Sequence, residues 1–187
     1  MIPTLTLPQI LALIVVAIGT VTDLRTRKIH NVLTFPASGI AIALNFYLSG
    51  PSGALMSVAG WFAGLALMAC PILLLPQTDP NNRKGFGDIK LMAATGAFLG
   101  PKLALCVFFY FCIFYGLLGV GKIAVMAPWY KLVLQLIAPG KYQITPEDIQ
   151  KITQMRKSYM PLGPAIFLGT ICALMFEKQT LALFSLQ

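Results

Sequence analysis

From Ile29 to Thr78 the chain carries no acidic or basic side chain except His30, and that fact decides the solvent it folds in. A helix rising about 1.5 Å per residue needs roughly 20 residues to cross a hydrocarbon core of about 30 Å. The uncharged stretch is long enough for two crossings. At its middle, Ser49-Gly50-Pro51-Ser52-Gly53 supplies the turn residues that would separate them. The rest of the chain agrees: 57% of its 187 residues are hydrophobic, 11% are charged and the mean hydropathy is +0.78. An all-α, polytopic membrane protein is the expected fold class, because helices satisfy their own backbone groups in lipid.

Apolar segments at residues 5–22, 31–48, 54–75, 88–99, 103–125 and 165–184 predict a bundle of about six transmembrane helices. They form a single membrane-embedded domain over residues 1–187. The first segment has no basic residue ahead of it and Arg25, Arg27 and Lys28 behind it. That order is the reverse of a secretory signal peptide, so it reads as a retained anchor with its amino end outside. On this threading, all of the 14 lysines and arginines except Lys102 and Lys178 lie on the cytoplasmic side. The net charge of +8 is thus spread through the connections between apolar runs, a pattern that orients a membrane protein and argues against a nucleic-acid partner.

Between the fifth and sixth segments, Thr145-Pro146-Glu147-Asp148 carries helix-start signals, and Ile149, Ile152 and Met155 recur at three-residue spacing. A cytoplasmic amphipathic helix is expected there. The fourth segment, 88–99, would be only about 18 Å long. It either starts within the headgroups or is a partial span shielded by its neighbours. Both readings draw Asp88 toward lipid depth, where an isolated charge is costly. Gly96 and Ala93-Ala94 give that segment a small-residue face suited to close helix packing.

The chain holds six acids and one histidine. Asp79 falls in a polar loop, Glu147 and Asp148 sit at a helix start, and Glu177 lies near the outer end of the last segment. Asp23 and Asp88 remain, each at the boundary of an apolar run and both on the inner face. Two neighbouring carboxyl groups that share a proton can activate water and hydrogen-bond a carbonyl together, which is aspartyl peptide hydrolysis. His30 has no evident carboxylate to orient it as a base unless Asp23 serves. Cys70, Cys106, Cys112 and Cys172 form no C-x-x-C pair and read as buried free thiols, so no metal site is expected. Residue chemistry alone leaves other readings open: boundary ion pairs, a proton-coupled carrier, or a structural membrane protein.

Asp23-Leu24-Arg25-Thr26-Arg27-Lys28-Ile29-His30-Asn31 and Gly85-Phe86-Gly87-Asp88-Ile89-Lys90 resemble the two aspartate motifs of the type IV prepilin leader peptidases. These are membrane aspartyl proteases with a G-x-G-D signature. Met160-Pro161-Leu162-Gly163-Pro164-Ala165 is similar to the proline-rich entry to that family's last helix. The nearest form is the short one associated with tight-adherence, Flp-type pilus systems. His30 departs from the family's usual proline, and the cysteine-paired insert of the longer bifunctional members has no counterpart. The resemblance therefore implies peptidase activity and lends no support to N-methylation.

It also implies Asp23 and Asp88 as the catalytic pair, with no cofactor. Gly85 and Gly87 would let substrate backbone approach Asp88 closely. The implied partner is a prepilin or pseudopilin in the lipid bilayer, cut after the glycine that ends its short basic leader. The implied location is the bacterial inner membrane, with the site facing the cytoplasm. An archaeal-type preflagellin peptidase shares the chemistry and is the alternative within the class.

Overall fold

The computed structural model describes residues 5–26, 29–74, 87–126 and 162–183. Every element among them is helical: α1 (Leu7–Thr26), α2 (Asn31–Leu74), α3 (Gly87–Met126), α4 (Gly163–Met175) and α5 (Glu177–Leu183). The first three are long and apolar enough to cross a membrane. The amphipathic segment expected near residue 150 lies outside the described residues. Residues 1–112 with 161–187 form one compact unit. Residues 113–160 form another, described only over the last part of α3, 113–126.

Two glycines decide how the long helices fold back. Within α2, Gly50 has φ 66° and ψ −154°, a conformation that side-chain-bearing residues resist. A side chain on Gly53 would collide with the backbone oxygen of Asn45, a residue that a straight helix would hold about 12 Å away. The chain therefore reverses at Gly50, and α2 is a hairpin of two arms, 31–49 and 51–74. Helical geometry reaches each side of that single residue, so the turn expected over 49–53 centres on Gly50. Gly100, with φ 79° and ψ 172°, plays the same part in α3 between arms 87–99 and 101–126.

Pro101 follows Gly100 and has no N–H, so the carbonyl of Ala97 loses its partner within the helix. The neighbouring hairpin supplies replacements: Ser57 Oγ donates to Ala97 O at 2.6 Å, and Asn45 Nδ2 donates to it at 3.1 Å. Ser57→Ala is expected to lower stability by about 1 kcal/mol, and Ser57→Ala with Asn45→Ala by more than the sum of the two. Thermal unfolding in detergent checks this, and strict additivity would refute the shared role.

Arm 87–99 is the centre of the unit. Ile89 and all residues from Leu91 to Phe98 are buried, as expected of a helix covered on every side. Its neighbours thus shield this short segment. The covering is close because it is built on glycine: a side chain on Gly60 would strike the carbonyl oxygen of Gly96, and one on Gly64 that of Met92. Ala12, Ala37, Ala41, Ala94, Ala97 and Phe98 form the core where α1, α2 and α3 meet.

α1 packs against α2 and α4. Its buried residues, Pro8, Ala12, Val16, Gly19, Thr20 and Asp23, recur every three or four positions and form one stripe. α4 runs antiparallel to it. Gly163, the first residue of α4, meets Thr20 and Asp23, while beyond its far end Glu177 Oε2 accepts from Gln9 Nε2 at 3.3 Å. The expected unbroken helix over 165–184 is interrupted at Phe176 (φ −110°, ψ 24°). Thr180 caps the Phe176 carbonyl with its hydroxyl at 2.8 Å, and Glu177 lies in the first turn of the new helix, where the dipole favours an acid.

Candidate active site

Asp23 lies inside α1, in its last turn. The sequence expects the helix to end near residue 22, but it runs on to Thr26. There the Thr22 hydroxyl bonds Gly19 O and the Thr26 hydroxyl bonds Thr22 O, each at 2.8 Å. Because Asp23 continues the buried stripe, its carboxyl group faces inward and only 2% of the residue is exposed. Its Oδ2 accepts the backbone N–H of Gly163 at 3.0 Å, across 140 residues of sequence. An acid at a helix N-terminus satisfies a donor that α4 cannot satisfy itself, and Pro164 at the next position has no N–H to offer.

Asp88 occupies the first turn of α3, at the entrance to the fully covered arm. Its Oδ1 is buried without a hydrogen-bond partner. A buried polar atom in that condition is uncommon.

The register of α1 on α3 brings the two acids together. A side chain on Gly19 would lie 2.9 Å from the methyl carbons of Leu91, so α1 and α3 touch at this level. Gly19 is one turn before Asp23 and Leu91 one turn after Asp88. Since the helices run in opposite directions, the next turn toward that end pairs the two aspartates. The charge of Asp23 accordingly bears on Asp88.

Gly87 and Lys90, close to Asp88 in the chain, pack against residues 29–35. Gly87 leaves room for Ile29, whose Cβ would be 2.9 Å from a side-chain carbon placed there. The lack of a side chain at Gly87 thus serves the protein's own packing at this end of α3. Gly85, the other glycine of the motif, lies outside the described residues. Lys90 Nζ donates to Asn31 Oδ1 at 2.9 Å and sits 5.2 Å from the centre of the Phe35 ring. It points to α2 and not to Asp88, as expected for a side chain two positions on. Lys90→Met is expected to lower stability by about 0.5 kcal/mol, read as a melting shift of no more than a few degrees. A fall of about ten degrees or more would contradict that assignment.

The four cysteines are free, and only Cys106 is buried within the protein. Cys70 and Cys112 are exposed, not buried as the sequence suggests, although both lie in apolar helices. Among the described residues no group of three or more His, Cys, Asp and Glu side chains is placed to hold a metal ion. His30 is exposed at the start of α2. Thr20, which sequence reasoning did not single out, and Gly163, which it met only within the proline-rich motif at 160–165, touch the Asp23 region. The signal for Thr20 was its place one turn before Asp23 on the same apolar stripe.

The described fold thus combines three helices long and apolar enough to cross a membrane with two acids at one end of antiparallel helices. Residues 10–120, more than half of the chain, match the profile of the type IV leader peptidase family, and the protein belongs to that family. Both aspartates fall within the matched stretch. Family membership marks the chain as a membrane aspartic peptidase. No curated protein and no solved structure matched it.

Proposed function

We propose that the protein is an endopeptidase that removes the leader of Flp-type prepilins at the cytoplasmic face of the bacterial inner membrane, with Asp23 and Asp88 as the catalytic pair. The observation that carries this reading is the meeting of two inward acids, 65 positions apart by their numbers, at one end of the unit. One of them has a buried oxygen without a partner. A water held between the carboxyl groups would be activated by one while the other donates a hydrogen bond to the scissile carbonyl. The proton lost by the water returns to the leaving amine, so the pair ends the cycle as it began.

The orientation rests on charge. With the α2 and α3 hairpin arms each crossing once, α1 and the residues from α4 to α5 complete six crossings. Arg25 and Lys90 then lie at the end that carries Asp23 and Asp88, and Lys102 at the other. The substrate's basic leader would stay on the cytoplasmic side and its hydrophobic helix in the bilayer, which places the scissile bond at the depth of the acids. The test is co-expression with a Flp-type prepilin, reading the mobility shift and the mass of the product. Cleavage after the leader glycine that disappears in both Asp23→Asn and Asp88→Asn supports the proposal. Normal cleavage by either variant refutes it.

A further inference from the structure

Gly163 carries two bonds from α1. Its N–H donates to Asp23 Oδ2 at 3.0 Å, and its carbonyl accepts from the Thr20 hydroxyl at 3.0 Å. The same hydroxyl reaches Val16 O at 2.8 Å, so one proton is shared between two carbonyl oxygens. A side chain at Gly163 would press on α1: a Cβ would lie 3.0 Å from Thr20 Cα and 3.1 Å from Asp23 Oδ2, so both neighbours would have to give by a few tenths of an ångström. Thr20 is one turn before Asp23 on the same stripe. The two contacts therefore hold both polar groups of a single peptide residue against one turn of α1. All the atoms involved are buried.

We infer that Thr20 and Gly163 are positioning residues for Asp23: together they lock the first turn of α4 onto α1 and so set the plane of the Asp23 carboxyl group. The inference rests on the catalytic reading of Asp23 and adds to it a residue outside the stretch matched by the family, Gly163. Its physical basis is that a carboxyl group with one oxygen bonded to a helix N-terminus is restrained in its rotation. The direction in which it meets water and the peptide carbonyl is then fixed before substrate arrives. Positioning of this kind governs turnover more than binding, since a displacement of about 1 Å at a reacting group can cost about a hundredfold. Thr20 acts through the Gly163 carbonyl, and Gly163 acts through its own N–H.

The experiment uses the full-length protein in liposomes and a prepilin whose short basic leader ends in glycine ahead of a hydrophobic helix. Thr20→Val keeps the shape and removes the hydroxyl, and Thr20→Ser keeps the hydroxyl. Expected for Thr20→Val is a fall in kcat of about tenfold with KM within about twofold, and recovery of most of the loss in Thr20→Ser. Gly163→Ala is expected to fall about a hundredfold in kcat, again with KM little changed. If Thr20→Val melts more than a few degrees lower, Thr20→Ala measured at a temperature where it is folded decides by the same criterion. A parent-like kcat in the hydroxyl-free variant, a loss that serine does not restore, or an effect confined to KM would each overturn the inference. Asp23→Asn separates the two levels. If it cleaves normally the catalytic reading fails, whereas if it is inactive while Thr20→Val is parent-like only the positioning role fails.

Discussion

Asp23→Asn/Asp88→Asn is expected to cleave prepilin no more slowly than either single variant, each of which falls by about 10⁴-fold or more. The expectation follows from the way the acids meet. Asp88 presents a buried oxygen without a partner and Asp23 a carboxyl group tied through Oδ2 to Gly163 N–H. One residue must take a proton from water while the other supplies a hydrogen bond to the carbonyl, and neither half of that exchange lowers the barrier alone. An amide at either position cannot accept the proton, so removing the first acid leaves the second with nothing to complete. Groups that act as a unit are not additive, and the second substitution costs little more. Asparagine is close in size to aspartate, so α1 and α3 keep their contact at Gly19 and Leu91, and thermal unfolding should move by only a few degrees. Single-turnover cleavage in liposomes gives the rates. Additive losses would mean that the two residues act in separate steps, and the dyad would have to be abandoned.

What could be read from residues alone was whatever is local to one helix. Gly50 and Gly100 announce reversals because each precedes a proline in an otherwise apolar run. The two aspartate motifs stand out because charge is so scarce. Approach between helices was not legible. Gly96 reads in sequence as part of a small-residue face, but nothing in the chain says that its partner is Gly60, or that Gly64 rests on the Met92 carbonyl. The bond from Gly163 to Asp23 joins residues 140 positions apart through a backbone N–H, and every residue but proline has one. Asp23, Arg25 and Thr26 look like the close of an apolar run, yet the helix continues through them, with the Thr22 and Thr26 hydroxyls bonded back to the Gly19 and Thr22 carbonyls.

Gly60→Val is expected to cost about 3–5 kcal/mol and to lower the melting temperature in detergent by about 10 °C. Three backbone features surround the position. A Cβ there would collide with the Gly96 carbonyl oxygen and lie 2.8 Å from Gly100 Cα and 2.9 Å from Gly100 C. None of these can turn aside as a side chain could, so relief requires arm 51–74 to separate from arm 87–99. That separation opens the core along the arm that carries Asp88 at its start and strains the reversal at Gly100, whose φ of 79° is itself confined to glycine. Cleavage should therefore fall even at temperatures where the variant remains folded, because Asp88 is carried away from α1. The comparison that isolates the effect is Gly39→Ala, also in α2, where a Cβ meets nothing within 4 Å. There the methyl group adds helix propensity of about 0.5–1 kcal/mol without a clash, so melting should hold or rise and cleavage should be unaffected. If the valine at position 60 melted within two degrees or so of the alanine at position 39, the glycine crossing would not be what holds arm 87–99 in place. The depth at which Asp88 meets Asp23 would then need another cause.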